Sequence, residues 1–246
     1  MAVRINQCRF SESVKFFEPG FCERWGIKSY HDINLPCFFA GVYRIEDVKI
    51  INAHKGFKVV WNTGSTRRVF NKLKKDIIVM QGVGVPFTSS KYKVKRCTFE
   101  IKDFSMFKPS PLGSSIYAYI GHDAENFKVH YGYDFIEEVR KKISYPVIYG
   151  FRGKEMDYVK REYYDNCFVN IKPHSIGGFT TSTELAFMGR RTISNSDAPW
   201  CDPYRSVDDV VELINREAKK IGTVQESQIG KFFNTGEAWK NPTFWK

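Results

Sequence analysis

The stretch "PHSIGGFTTSTELAFMGRRTISN", Pro173 to Asn195, gathers His174, Gly177, Gly178, four consecutive hydroxyl residues (Thr180, Thr181, Ser182, Thr183), Glu184 and Gly189. Glycines let backbone approach a ligand closely, and the unpaired N–H groups at a helix start, with the helix dipole, favour negative charge there. A phosphate or diphosphate is the natural occupant. Glu184 lies one turn further in, too deep for a cap and spaced to accept hydrogen bonds from a ribose diol. Phosphate at the helix start and sugar hydroxyls one turn on describe a nucleotide. The same "TTSTE" also reads as an ordinary capping box with glycines turning the chain.

A second set of chemistry-bearing residues is cationic. Residues 1–110 hold 20 Lys and Arg against 9 Asp and Glu, whereas residues 111–246 hold 18 of each, so the formal charge of +11 belongs to the first half. The densest runs are "TRRVFNKLKK" (Arg67, Arg68, Lys72, Lys74, Lys75) and "KYKVKR" (Lys91, Lys93, Lys95, Arg96). A charge run is also what a solvated face looks like. An asymmetry across a whole half, however, makes a field of one sign that attracts a polyanion or an anionic surface.

These residues need elements to position them. The apolar runs "CFFAGVY" (37–43), "GFKVVWN" (56–62) and "DIIVMQG" (76–82) alternate with helix-like "RIEDVKIINAHK" and "TRRVFNKLKK". The second half repeats the theme with "SIYAYIG", "YDFIEEVRKKI", "YPVIYG", "KEMDYVKREYYDN", "CFVNIK" and "RRTISN". A last helix, "SVDDVVELINREAKKIG", has Ser206 as its N-cap and Gly222 at its end. Alternating buried strands and helices predict parallel sheets with crossover helices. The expectation is an α/β protein of two Rossmann-like, doubly wound lobes, 1–110 and 111–224, joined by the Pro/Gly/Ser-rich "KPSPLGS". Ligand sites are then expected at the carboxyl ends of the strands, in a cleft between the lobes.

Several classes are excluded. No GxxxxGK[ST] motif occurs, and no GxGxxG follows the first strand of either half, which argues against P-loop NTPases and dinucleotide dehydrogenases. "QGVGVP" reads as a turn. The six cysteines form no CxxC pair, so neither a zinc site nor a disulfide framework is expected, and no metal site is assigned. The chain shows no signal-peptide pattern and no run of apolar residues long enough to cross a bilayer, which predicts a cytoplasmic protein.

The order of strand, Gly-rich loop, Ser/Thr-rich helix start, internal Glu, Gly and next strand resembles the donor-binding segment of GT-B glycosyltransferases. His174, Gly177, Gly178, Ser182, Thr183, Glu184 and Gly189 match that pattern, and the resemblance spans roughly residues 114–222. It implies a nucleotide-sugar co-substrate, of the UDP-sugar kind, with no resident cofactor. Glu184 would hold the ribose hydroxyls, Thr180 to Thr183 the diphosphate, and His174 a phosphate oxygen or the sugar. Where many members carry a second Glu eight residues ahead of the ribose Glu, this chain has Ile176. Where they carry an Arg and a Lys after the first donor-lobe strand, it has "GHDAENFK", so His122 and Lys128 are approximate stand-ins, and Arg152 in "YGFRGK" is a further candidate clamp. In GT-B proteins the terminal helix crosses back onto the first lobe, and the aromatic segment 225–246 fits that docking. It also reads as an apolar patch for a partner.

The basic first half would face the acceptor. Its Lys and Arg with Trp25, Tyr30, Tyr43 and Trp61, and the lack of an amphipathic membrane helix, favour DNA, and the compact chain is similar to phage enzymes that glycosylate hydroxymethylated bases such as hydroxymethylcytosine. Such an enzyme must flip the base out of the duplex. The proton of the acceptor hydroxyl needs a base, for which His31 and Asp32 in "SYHDIN" are candidates, with Asp103 in "IKDFS" in reserve. Two other readings stay open: a transferase acting on a glycan or lipid-linked acceptor, and a nonenzymatic nucleic-acid-binding protein.

Overall fold

The computed structural model describes residues 3–62, 67–82, 89–96, 102–121, 129–174, 179–227, 229, 241 and 243–245, excluding the side chains of residues 67, 68, 96 and 179. The chain divides into two compact units, Met1–Asp103 with Phe233–Lys246, and Phe104–Phe232.

In the first unit the described elements run β1 (Gln7–Phe10), α1 (Glu18–Trp25), β2 (Lys28–Ser29), β3 (Cys37–Ala40), α2 (Ile45–Ala53), β4 (Lys58–Asn62), α3 (Arg67–Phe70), β5 (Ile78–Gln81) and β6 (Lys93–Arg96). The strands form one parallel sheet in the order β2-β1-β3-β4-β5-β6. Helices on both faces explain why its central strands read as unbroken apolar runs. Phe38 and Ala40 of β3 enter one core with Phe10, Phe21, Val59, Met80 and Trp245. Cys37 and Phe39 enter the other with Val48, Ile51, Val60, Phe70 and Val79. The C-terminal aromatic segment thus supplies a core residue, Trp245, only 2% exposed.

Two segments differ from the sequence expectation here. The helix expected over 66–75 is only four residues long. The carbonyls that would continue it are taken from outside: Tyr92 Oη donates to Phe70 O and Leu73 O at 3.2 and 3.0 Å, and Lys91 Nζ to Asn71 O and Leu73 O at 2.6 and 2.7 Å. The run "KYKVKR", read as a basic cluster, contains the edge strand β6, where lysines also discourage pairing with another chain.

The second unit runs β7 (Ser115–Gly121), α4 (Tyr133–Arg140), β8 (Val147–Phe151), α5 (Met156–Val159) continued by a π turn at Lys160–Tyr164, β9 (Cys167–Ile171), α6 (Phe179–Phe187), β10 (Arg191–Ile193), β11 (Cys201–Asp202) and α7 (Val207–Ala218). Its parallel sheet has the order β11-β10-β9-β7-β8. Ser206 caps α7 as its sequence indicates, accepting from Asp209 N at 3.1 Å.

The two faces of this sheet have different chemistry. Ile116, Ala118, Ile120, Val169, Ile171 and Ile193 join α4 and α7 in an apolar core. By strand alternation, Tyr117, Tyr119, Asn170, Thr192 and Ser194 belong to the opposite face. There Asn170 Nδ2 donates to Thr192 Oγ1 at 3.1 Å. The expected linker is pinned rather than loose. Buried Arg190 donates to Ser110 O, Ser110 Oγ and Pro111 O at 2.7–3.0 Å, and Pro111 bridges Val224.

Candidate functional site

The carboxyl edge of the second sheet collects polar and cationic groups from four connections. β9 delivers Lys172, Pro173 and His174, and α6 brings Thr180 and Thr181 at its start. Thr181, Lys172, Asn170, Ile171, Tyr119 and Tyr131 line one small cavity. Burial lowers the Lys172 ammonium to about 8, against the opposing pull of Cys201. Asn170 is 1% exposed and its Oδ1 has no partner among the described residues; neither has the hydroxyl of Ser194, which follows β10 at the same edge.

Arg152 follows β8. Its amide donates to Gly121 O at 2.6 Å, and its exposed side chain lies near Tyr119 and Tyr131. Burial pushes both phenols up, Tyr131 adds to the rise at Tyr119, and the Arg152 charge pulls both back. Gly121, at φ +75°, is required: a Cβ there would lie 2.4 Å from the Tyr131 ring. Gly132 opens α4 at φ +74°, where a Cβ would meet Pro173 at 2.8 Å and the His174 ring at 3.1 Å. Exposed His174 therefore sits over the start of α4, and Tyr204 Oη holds the loop by donating to Pro173 O at 2.8 Å.

The structure thus gathers Thr180, Thr181, His174 and Arg152 at one sheet edge and adds Lys172, Asn170, Tyr119 and Tyr131, which the sequence reading had not assigned. A lysine directly after the last apolar residue of a strand is the signal that marks Lys172. Gly177, Gly178, His122 and Lys128 lie outside the described residues.

Glu184 requires a correction. It is 2% exposed, and its carboxylate accepts from buried Tyr164 Oη at 2.5 Å. Tyr164 in turn packs edge-on against Tyr117, with ring centroids 5.3 Å apart. Ser182 and Thr183 are buried as well. One turn into α6 is already beneath the sheet edge, so Glu184 is occupied by a phenol in the position expected to face a ribose.

His31 and Asp32 also differ from expectation. β2 aligns only with the start of β1 (Gln7↔Lys28), and β3 begins at the same level (Gln7↔Cys37), so the loop between them returns to the amino edge of the first sheet. Buried Gln7 holds it there, accepting from His31 N and Asp32 N at 2.9 and 3.1 Å. The two side chains do not pair: His31 Nδ1 donates to Ser29 O at 2.8 Å, and the Asp32 carboxylate accepts from Asn34 N and Nδ2 at 2.8 and 3.1 Å. Ligands of open α/β sheets bind at the carboxyl edge, so this pair is misplaced for a catalytic base. Asp103 is exposed.

The basic runs divide. Lys72, Lys74 and Lys75 are exposed, as is Lys93 on β6. Lys91 is engaged with the carbonyls after α3, and Lys95 Nζ donates to Phe244 O at 2.8 Å. Arg67 and Arg68 fall on α3 and Arg96 on β6, with their side chains outside the described set. Among the described residues no cluster of three or more His, Cys, Asp or Glu could hold a metal ion, and no helix is long and apolar enough to cross a membrane.

No protein-family model matches the chain, and no curated protein matches it.

Proposed function

We propose that this chain is a nucleotide-sugar-dependent glycosyltransferase of the GT-B type, with the diphosphate of the donor at the carboxyl edge of the second sheet and DNA as the acceptor. The observation that carries this reading is the meeting of half-buried Lys172 and Thr181 with the start of α6, flanked by Arg152 and His174. A cation shielded from water beside a helix N-terminus suits a diphosphate leaving group, whose charge grows as the anomeric bond breaks. Asn170 Oδ1 supplies an acceptor for a hydroxyl of the same ligand. The basic first half supports the nucleic acid as acceptor, and the sugar is transferred to a hydroxymethylated base.

The test is incubation with a panel of nucleotide sugars, scoring released nucleoside diphosphate with and without hydroxymethylated DNA. Release that depends on Lys172 and is stimulated by that DNA supports the reading. Stimulation by a glycan or lipid acceptor alone moves the acceptor. DNA binding with no release from any donor leaves a nonenzymatic nucleic-acid-binding protein.

A further inference from the structure

Two buried glutamines stand at opposite edges of the first sheet and are used in opposite ways. Gln7 opens β1 at the amino edge, where its Oε1 accepts from His31 N and Asp32 N and its Nε2 donates to Asp32 O and Leu35 O. Gln81 ends β5 at the carboxyl edge and is 2% exposed, yet neither its Nε2 nor its Oε1 has a hydrogen-bond partner among the described residues. A buried amide that meets neither water nor protein loses its solvation without compensation, so an apolar residue would serve packing better.

The neighbouring strand shows the same change of residue type. β4 and β5 read "KVVWN" and "IVMQ", and both exchange an apolar run for a primary amide at their last residue. Parallel register pairs these residues directly, Asn62 with Gln81. Strand alternation puts both beyond Val60 and Val79, on the face packed by Val48 and Ile51 of α2 and Phe70 of α3. The core of that face thus ends in two buried amides side by side, at the edge where open α/β sheets take their ligands.

A carboxylate at the same edge is already committed to the fold. Asp47 Oδ2, in the first turn of α2, accepts from Ser11 Oγ at 2.7 Å and from Tyr43 N and Arg44 N at 3.0 Å each. A negative charge therefore fills the start of α2, and a second anion beside it would be repelled. The group that matches Gln81 is neutral and offers one donor and one acceptor in a common plane, so that Oε1 and Nε2 are satisfied together. The Watson–Crick edge of a nucleobase has that form, and a base taken out of the stack is read by hydrogen bonds to that edge. The excess of Lys and Arg over Asp and Glu in residues 1–110, 20 against 9, favours the base of a polyanion over a neutral glycan.

We infer that Gln81 reads the acceptor base, its Oε1 accepting from the exocyclic amine and its Nε2 donating to the ring nitrogen of an unpaired hydroxymethylated cytosine. This rests on the proposed function for the identity of the acceptor and uses residues of the first unit alone. Gln81 determines specificity and takes no part in bond making.

The test is fluorescence anisotropy of two labelled single-stranded oligodeoxynucleotides, one carrying a single hydroxymethylcytosine and the other an abasic site at that position. The wild-type chain should bind the first at least about fivefold more tightly, the lower bound for a good bidentate pair. Gln81→Met removes both amide groups at nearly constant length, and its melting temperature checks that it folds. In that variant the ratio of the two affinities should fall to about one. A wild type that binds the two strands equally overturns the inference, and so does a folded Gln81→Met that keeps the wild-type preference. Loss of affinity for a neutral oligosaccharide in the variant, with the preference for the base unchanged, overturns it in favour of a glycan acceptor. Donor release is measured in parallel. A protein that releases nothing from any nucleotide sugar, yet loses its base preference in Gln81→Met, loses the transferase reading and keeps the base reader. One that releases nucleoside diphosphate with an unchanged base preference in the variant does the reverse.

Discussion

Lys172 offers the sharpest test of the donor site, because its environment links ligand binding to pH. Burial holds the ammonium at about 8 instead of its ordinary 10.5. A nucleoside diphosphate beside it would favour the charged form and raise that value again, so binding takes up a proton above pH 8. Affinity should change little between pH 7 and 8, then fall close to tenfold per pH unit, reaching roughly 300-fold if the bound lysine recovers its ordinary value. Among its described neighbours, burial lifts Cys201 to about 12 and pushes Tyr119 and Tyr131 above their usual range. Isothermal calorimetry with a nucleoside diphosphate in buffers of different ionisation enthalpy reads both the affinity and the proton taken up. Lys172→Met should bind more weakly below pH 8 and lose the dependence above it. The free protein gives an independent check of the sign. A lysine held below its unfolded value costs stability at neutral pH, so stability should rise as pH climbs from about 8 towards 10.5, and the Met variant should lack that rise. A wild-type affinity that stays flat from pH 7 to 10.5, with no proton uptake, would refute the placement of phosphate at Lys172.

Three further outcomes follow from the packing. Tyr164→Phe removes the donor to buried Glu184 and should cost about 1–3 kcal/mol in denaturant unfolding; Glu184→Ala should likewise lower the melting temperature, and a Glu184→Ala variant that keeps its stability but loses donor affinity would restore the ribose role. Trp245→Ala should cost about 3–5 kcal/mol, since the ring is 2% exposed in the first unit's core; chemical denaturation followed by a first-unit probe would show otherwise if the aromatic tail were only peripheral. Neutralising exposed Lys72, Lys74 and Lys75 should flatten the salt dependence of DNA binding, whereas Lys91→Met should chiefly lower stability because Lys91 is engaged with Asn71 O and Leu73 O; an equal loss of salt slope in both would mean that Lys91 also reaches phosphate.

Much of the architecture was legible in the chain alone. "CFFAGVY", "GFKVVWN" and "SIYAYIG" read as buried parallel strands because a sheet covered on both faces leaves no position for alternating polar residues, and β3, β4 and β7 lie within them. Ser206 announced α7 because a cap is a local interaction over three residues. The hydroxyl run at Thr180 to Thr183 marked where α6 lies but does not cap it, since the helix already begins at Phe179. Properties that depend on direction in space were not legible. Helical periodicity places Glu184 on a face of α6, but only packing against Tyr164 and Tyr117 decides that this face is buried. The residues of "SYHDIN" have the types for proton transfer, yet the register of β1 with β2 and β3 sends them to the amino edge. Charge density along the chain pointed to Lys91 and Lys95, which the fold employs internally. A linear sequence records which groups are present and their local periodicity; which groups share one patch of solvent is set by strand order and register, and those are long-range choices.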